Sequence, residues 1–173
     1  DPQVDPGCPQ CAHRACRATR RCLMLDGMRF DELPRNWPSL PLDDRRIAAG
    51  VIDLMLGRGE RLNRSLLVLP CDRSGTAIPA PCVISEVDWP SPFGCRRRAL
   101  QFLRDIPAPG FVVAVSARRR LPEQLVQAWL RTTENVLDDA GRSLLAFGVA
   151  DLDRVEIVGG RAGREGCPGA QAG

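Results

Sequence analysis

Four cysteines near the amino end, Cys8, Cys11, Cys16 and Cys22, follow the spacing C-x2-C-x4-C-x5-C. Four soft ligands at such short intervals can close a tetrahedral zinc site. Interleaved with them are His13, Arg14, Arg17, Arg20 and Arg21, cations that suit a phosphate backbone. Two readings of residues 1–28 stand side by side: a structural zinc module, or a disordered arginine-rich leader.

Two arginine triplets are the next groups with chemical potential. Arg96, Arg97 and Arg98 open an expected helix, and Arg118, Arg119 and Arg120 stand just before another. Cations at a helix amino end oppose its dipole, so a bound anion there would relieve the conflict and use free N–H groups. The six arginines are therefore candidates for an anion-binding rim that takes phosphate, nucleic acid or an acidic peptide. The alternative is a solvated, arginine-rich surface.

Other chemistries lack parts. Ser65, Ser74, Ser85 and Ser116 have no histidine partner in the folded region, and there is no G-x-S-x-G elbow. Residues 159–163 (Gly-Gly-Arg-Ala-Gly) are no P-loop, because no Lys-Ser/Thr follows. Cys71, Cys82 and Cys95 read as small buried or half-buried side chains, with no base to activate a thiolate. Asp138-Asp139 and the Asp151/Asp153 pair sit at an expected helix end and a turn, where capping and solvation account for them.

The elements that would position these groups can be read from pattern. Asp43 or Asp44 caps a first helix carrying Ile47, Val51, Leu54 and Met55 at helical spacing, which Gly57 and Gly59 end. Residues 61–64 form a polar connector. An apolar strand at 66–69, a turn at 72–75 and extended structure over 77–87 read as a hairpin, its return demoted to an edge by Pro79 and Pro81. A helix over about 93–106 buries Ala99, Phe102, Leu103 and Ile106. Residues 111–115 (Phe-Val-Val-Ala-Val) form a continuous apolar run, a strand buried on both faces. Pro122 and Glu123 begin a long helix with Leu121, Leu125, Trp129, Val136, Leu137 and Ala140 on one stripe and Gly141 at its end. Strands at 144–149 and 155–158 close the domain around a turn at 150–154. Before these elements lies a proline-rich linker at 29–42, and after them a disordered tail at 161–173.

Composition limits the function classes. The chain has 173 residues, 44% hydrophobic and 26% charged, as in a soluble globular domain. No run of 18 apolar residues marks a membrane span. All 24 basic residues are arginine, yet the net charge of +3 is too small to imply a nucleic-acid partner by itself. Four of the eight cysteines fall within fifteen residues, and no charged-then-apolar opening marks a secretory signal; a reduced, cytoplasmic chain is expected.

Taken in order, helix, hairpin, helix, strand, long helix and strand pair resemble the JAB/MPN domain, particularly its RadC-like branch, over roughly residues 42–160. Three stretches carry the resemblance. Residues 64–72 (Arg-Ser-Leu-Leu-Val-Leu-Pro-Cys-Asp) resemble the early strand that ends in an acidic turn. Residues 111–115 resemble the strand leading into the metal motif. Residues 144–160 with the preceding helix resemble the closing helix and strand. The resemblance implies zinc-dependent hydrolysis of peptide or isopeptide bonds, using a glutamate base, an H-x-H pair and a downstream aspartate. Here Ser116-Ala-Arg-Arg-Arg120 follows the strand, and the one histidine of the chain is His13. Around Asn63 and Arg64, where the glutamate is expected, the nearest carboxylate is Glu60. Guanidiniums cannot ligate a metal and would repel one. The leader in turn resembles a zinc knuckle, departing from it in Cys16, one extra residue before Cys22, and no glycine or aromatic.

The expected protein is an α/β domain over residues 43–160, JAB/MPN-like, with a mixed β-sheet flanked by helices and irregular terminal tails. Its expected role is that of a non-catalytic binding or scaffold module for a protein partner, its core without a cofactor. The alternative is a small nucleic-acid-associated protein that uses a zinc-bound leader and the arginine triplets.

Overall fold

A computed structural model describes residues 28–161 of the chain. Helix α1 (Arg45–Met55) begins at Asp44, whose carboxylate accepts hydrogen bonds from the Arg46 and Ile47 N–H groups. Where the sequence suggested a polar connector, Gly57 instead precedes one short helix, α2 (Arg58–Leu62). The proline-rich linker at 29–42 contains 3-10 turns at Phe30–Glu32 and Trp37–Ser39, and its Leu33, Trp37 and Leu40 pack against the core.

Strand β1 (Leu66–Cys71) is buried throughout and runs two residues past its expected end. The return strand β2 shrinks to Cys82–Ile84, because Pro79 and Pro81 supply no N–H groups for a longer ladder. The helix expected over 93–106 divides into α3 (Phe93–Leu100) and a 3-10 turn (Gln101–Arg104). Leu103 is buried as expected, with Phe102 and Ile106 packed beside it, but Leu100 faces inward where Ala99 was expected, and Ala99 is exposed. Strand β3 (Gly110–Ser116) is wholly buried, and α4 (Glu123–Asp139) follows with Val126, Trp129, Val136 and Leu137 inside. Gly141, at φ 65°, ends α4: its N–H donates to the Asp138 carbonyl and the Arg142 N–H to that of Leu137. Strands β4 (Ser143–Ala150) and β5 (Val155–Gly159) complete the sheet.

The five strands form one mixed sheet in the order β2-β1-β3-β4-β5. Only β3 and β4 run parallel, which is what a helical crossover such as α4 permits; the other pairs are antiparallel. Alternation along the strands sends Leu67, Leu69, Val112 and Ala114 to the face covered by α1. Leu66, Val68, Phe111, Val113 and Val115 go to the face covered by α3 and α4. A register shift between Phe111 and Val112 places both Leu145 and Ala146 on the α1 side. Gly148 lets α1 lie close on the sheet: a Cβ there would stand 2.6 Å from the Ile52 terminal methyl. The domain is thus mixed α/β, with helices on both faces of the sheet, and no helix among the described residues is long and apolar enough to cross a membrane.

Candidate functional site

The groups singled out by their chemistry are best followed from the end of β3. Ser116 is fully buried there, and its hydroxyl is spent on the residue just before β1: it accepts from the Ser65 N–H at 3.0 Å and donates to the Ser65 carbonyl at 2.8 Å. The Ser65 hydroxyl lies 3.2 Å from that of Ser85. Trp89 donates its indole N–H to the Ser116 carbonyl at 3.1 Å, and Trp129 donates to the Trp89 carbonyl at 3.0 Å. The two rings meet edge to face, 5.1 Å between centroids. This end of the strand is therefore fixed on both sides, with its hydroxyl engaged by backbone.

Arg118, Arg119 and Arg120 leave the buried strand into solvent. Arg120 pairs with Glu156 on β5, and that hydrogen bond pushes its pKa above the ordinary arginine value. Arg118 and Arg119 enter no ion pair among the described residues. The first triplet lies elsewhere. Arg96 donates to the Ser91 carbonyl and, at 3.5 Å, to the Thr132 hydroxyl; Arg97 and Arg104 share Asp139 at 2.9 and 2.8 Å. Arg98 is exposed. Thr132 and Asp139 belong to the middle and far end of α4, whereas residues 118–120 precede its start. At 1.5 Å per residue the helix separates its two ends by about 24 Å. The structure does not bring the six arginines together as a single rim.

Cys8, Cys11, Cys16 and Cys22 lie outside the described residues, as does His13. Among the described residues no three Cys, His, Asp or Glu side chains converge in a way that could hold a metal ion. Cys71 is buried, and burial pushes its thiol up to about 12, so it stays protonated and unreactive at neutral pH. Cys95, expected to be at least half-buried, is exposed, since the outer face of α3 turns it to solvent.

Sequence reasoning missed Arg61. It is 6% exposed, its Nε donates to the Leu56 carbonyl at 2.6 Å and its Nη1 to the Asp151 carbonyl at 2.8 Å. Its Nη2 forms an ion pair with Asp53, whose second oxygen accepts the Phe30 N–H at 2.9 Å. One guanidinium thereby ties the end of α1, the β4–β5 turn and, through Asp53, the 28–32 segment. No periodicity could have shown this, because the partners are joined by tertiary packing.

Arg61 forms part of the wall of a recess of about 790 Å³ between residues 28–32, α1 and the β4–β5 turn. Met28, Phe30, Ala49, Leu152, Val155 and Ile157 supply apolar surface, and Asp31, Glu32, Arg45, Arg46, Asp153 and Glu156 supply charge of both signs. Because Glu156 also holds Arg120, the recess adjoins the end of β3 where the second triplet emerges. Its volume lies within the range of about 300–1,000 Å³ common to ligand pockets. Chemically it can hold an amphipathic chain; it offers no nucleophile–base pair.

No protein-family model, no curated protein and no solved structure matches this chain.

Proposed function

We propose that this chain is a non-catalytic binding module, resembling a JAB/MPN domain without its metal, that receives a segment of a protein partner in the recess between α1 and β5. The observation that carries the reading is the recess itself. It has an apolar floor and a rim of mixed charge, with an ion pair in its wall already neutralised between Arg61 and Asp53. Such a surface suits a peptide whose apolar side chains are flanked by charges. The order of elements supports the JAB/MPN reading, with β3 ending at Ser116 and followed by Ala117 and three arginines where that family holds histidines. Ser116 is committed to backbone hydrogen bonds, and guanidiniums repel a cation.

The test is selection of displayed random peptides on the intact chain, followed by affinity measurement with two variants. Leu152→Asp puts a charge on the apolar lining and should weaken selected peptides by at least about tenfold, or ~1.4 kcal/mol. Val83→Asp, on the exposed part of β2, should leave them unchanged. Turnover of peptide or isopeptide substrates above the buffer rate, with or without added zinc, would overturn the non-catalytic reading.

A second reading, a small nucleic-acid-associated protein, is favoured by the exposure of Arg98, Arg118 and Arg119. It requires about one zinc per chain, held by the leader cysteines, and binding that falls steeply with salt.

A further inference from the structure

We propose that β2 is a dimerisation edge, on which a second copy of the chain lays its own β2 antiparallel about a two-fold axis at Val83, joining two five-stranded sheets into one. The recess lies toward the opposite edge of the sheet, along β5, and plays no part in this contact.

As the last strand of the sheet, β2 has one row of backbone groups with no neighbouring strand. Which groups those are follows from β1. The Ser65 carbonyl, just before β1, accepts the Ser116 N–H on the β3 side at 2.9 Å, whereas the Pro70 carbonyl accepts the Ile78 N–H on the β2 side at 2.8 Å. Backbone direction alternates along a strand, so Leu66 and Val68 turn toward β2 and bond their register partners Ile84 and Cys82. Val83 therefore points its N–H and carbonyl outward. Ser85 lies one step further along the register, its hydroxyl 3.2 Å from that of Ser65, and it continues the outward row, as Pro81 does on the other side. Exposure follows the same alternation. Pro81, Val83 and Ser85 are exposed, Val83 at 40%, while Cys82 and Ile84 are half-buried against the α3–α4 face. Among the described residues no backbone group meets the outward side of Val83.

Set against itself, this edge is self-complementary. With Val83 opposite Val83, each copy's Val83 N–H donates to the other's Val83 carbonyl, and each Ser85 N–H donates to the other's Pro81 carbonyl. Proline can only accept, and an acceptor is what the Ser85 N–H needs. Centring the axis on Pro81 would oppose two residues without an N–H. Centring it on Ser85 would bring in Val87, whose N–H is already given to the Arg64 carbonyl, beyond Glu86 at φ 62°. Val83 is thus the position about which the pairing closes, and it sets Cys82 opposite Ile84 of the second copy.

Charge singles out a second copy as the occupant. Residues 76–85 (Thr-Ala-Ile-Pro-Ala-Pro-Cys-Val-Ile-Ser) carry no charge in a chain that is 26% charged. Open edges are ordinarily guarded by charged side chains. A two-fold pairing excludes them near its axis, because each would meet its like on the other copy. Pro79 and Pro81 keep the ladder short. Val155 and Ile157 of β5, at the other edge, are buried, so pairing through β2 stops at two copies.

Sedimentation equilibrium of the intact, reduced chain up to about 1 mM tests the proposal, with amide hydrogen exchange at Val83 and Ser85 followed over the same concentrations. The chain should form a reversible dimer, and both amides should exchange several-fold more slowly as the dimer fills. Val83→Asp, which sets two carboxylates face to face, should raise the dimer dissociation constant several-fold with unchanged circular dichroism. A chain that stays monomeric throughout overturns the proposal. So does a dimer that forms equally well in Val83→Asp, or one in which Val83 and Ser85 exchange as fast as in the monomer, because either places the contact elsewhere. Protection of Val83 that is independent of concentration gives the edge to another part of the same chain and overturns it too. Peptide affinity in Leu152→Asp is read separately, so the recess reading and the dimer stand or fall independently.

Discussion

Arg61 is a cation taken out of water and compensated on every side. Its nitrogens meet three carbonyls and a carboxylate, and the carboxylate of Asp53 is itself only partly exposed. In such a setting the pair adds little over an apolar substitute, but removing one partner strands the other. Asp53→Asn should therefore lower stability by about 3 kcal/mol, read as a shift of the urea midpoint at constant slope. Adding Arg61→Met to Asp53→Asn should recover part of that loss. A midpoint that does not move in Asp53→Asn would mean that neutral carbonyl acceptors suffice to hold the guanidinium. The substitution has a local reading as well: Asp53 also accepts the Phe30 N–H, so the wall of the recess should loosen with it.

At the level of elements, α4 decides how far the arginines can cooperate. Arg96 and Arg97 are held against its middle and carboxyl end, while Arg118 and Arg119 stand free before its start. Polyanion binding by the two groups should be independent. Arg118→Ser/Arg119→Ser should weaken binding to a polyanion and reduce its salt slope by about two. Substituting Arg98 in addition should contribute additively, as for distant sites. Binding unchanged over a range of salt in the double variant would show these guanidiniums to be solvated surface. The elements themselves were largely legible. α1 announced itself by an aspartate cap and a repeating apolar face, α4 by its stripe and Gly141, and β3 by an uninterrupted apolar run. What pattern could not show was where a helix tightens into a 3-10 turn, as after Leu100, which decided that Leu100 rather than Ala99 faces inward. Nor could it show β2 stopping after three residues, since that depends on which backbone groups find partners on β1. The triplets were visible as clusters, but their separation is a property of helix length and docking. Arg61 gave no local signal at all, for its partners lie in α1 and in a turn 90 positions away.

For the molecule as a whole, the recess exists because α1 packs on the β4–β5 side of the sheet while the chain before it folds back along the same helix. Its lining comes from four separate stretches, which is why no motif marked it. Gly148 governs the distance between helix and sheet. Ile52, whose methyl faces it, is completely buried and has no solvent into which to turn. Gly148→Val should cost about 2 kcal/mol through overpacking. Because α1 forms one wall of the recess, selected peptides should lose affinity in parallel. A variant with lowered thermal stability and undiminished peptide affinity would show that the recess does not depend on how closely α1 is seated.

The interlocked tryptophans beneath the second triplet have a spectroscopic consequence. Two indoles in van der Waals contact at a fixed angle couple their transitions, and here one of them is hydrogen-bonded to the residue two positions before Arg118. Any occupant that shifts the start of the 117–122 segment must turn the Trp89 ring against Trp129 and alter the near-ultraviolet circular dichroism of the pair. The protein thus carries an optical reporter at the end of β3, one that needs no label.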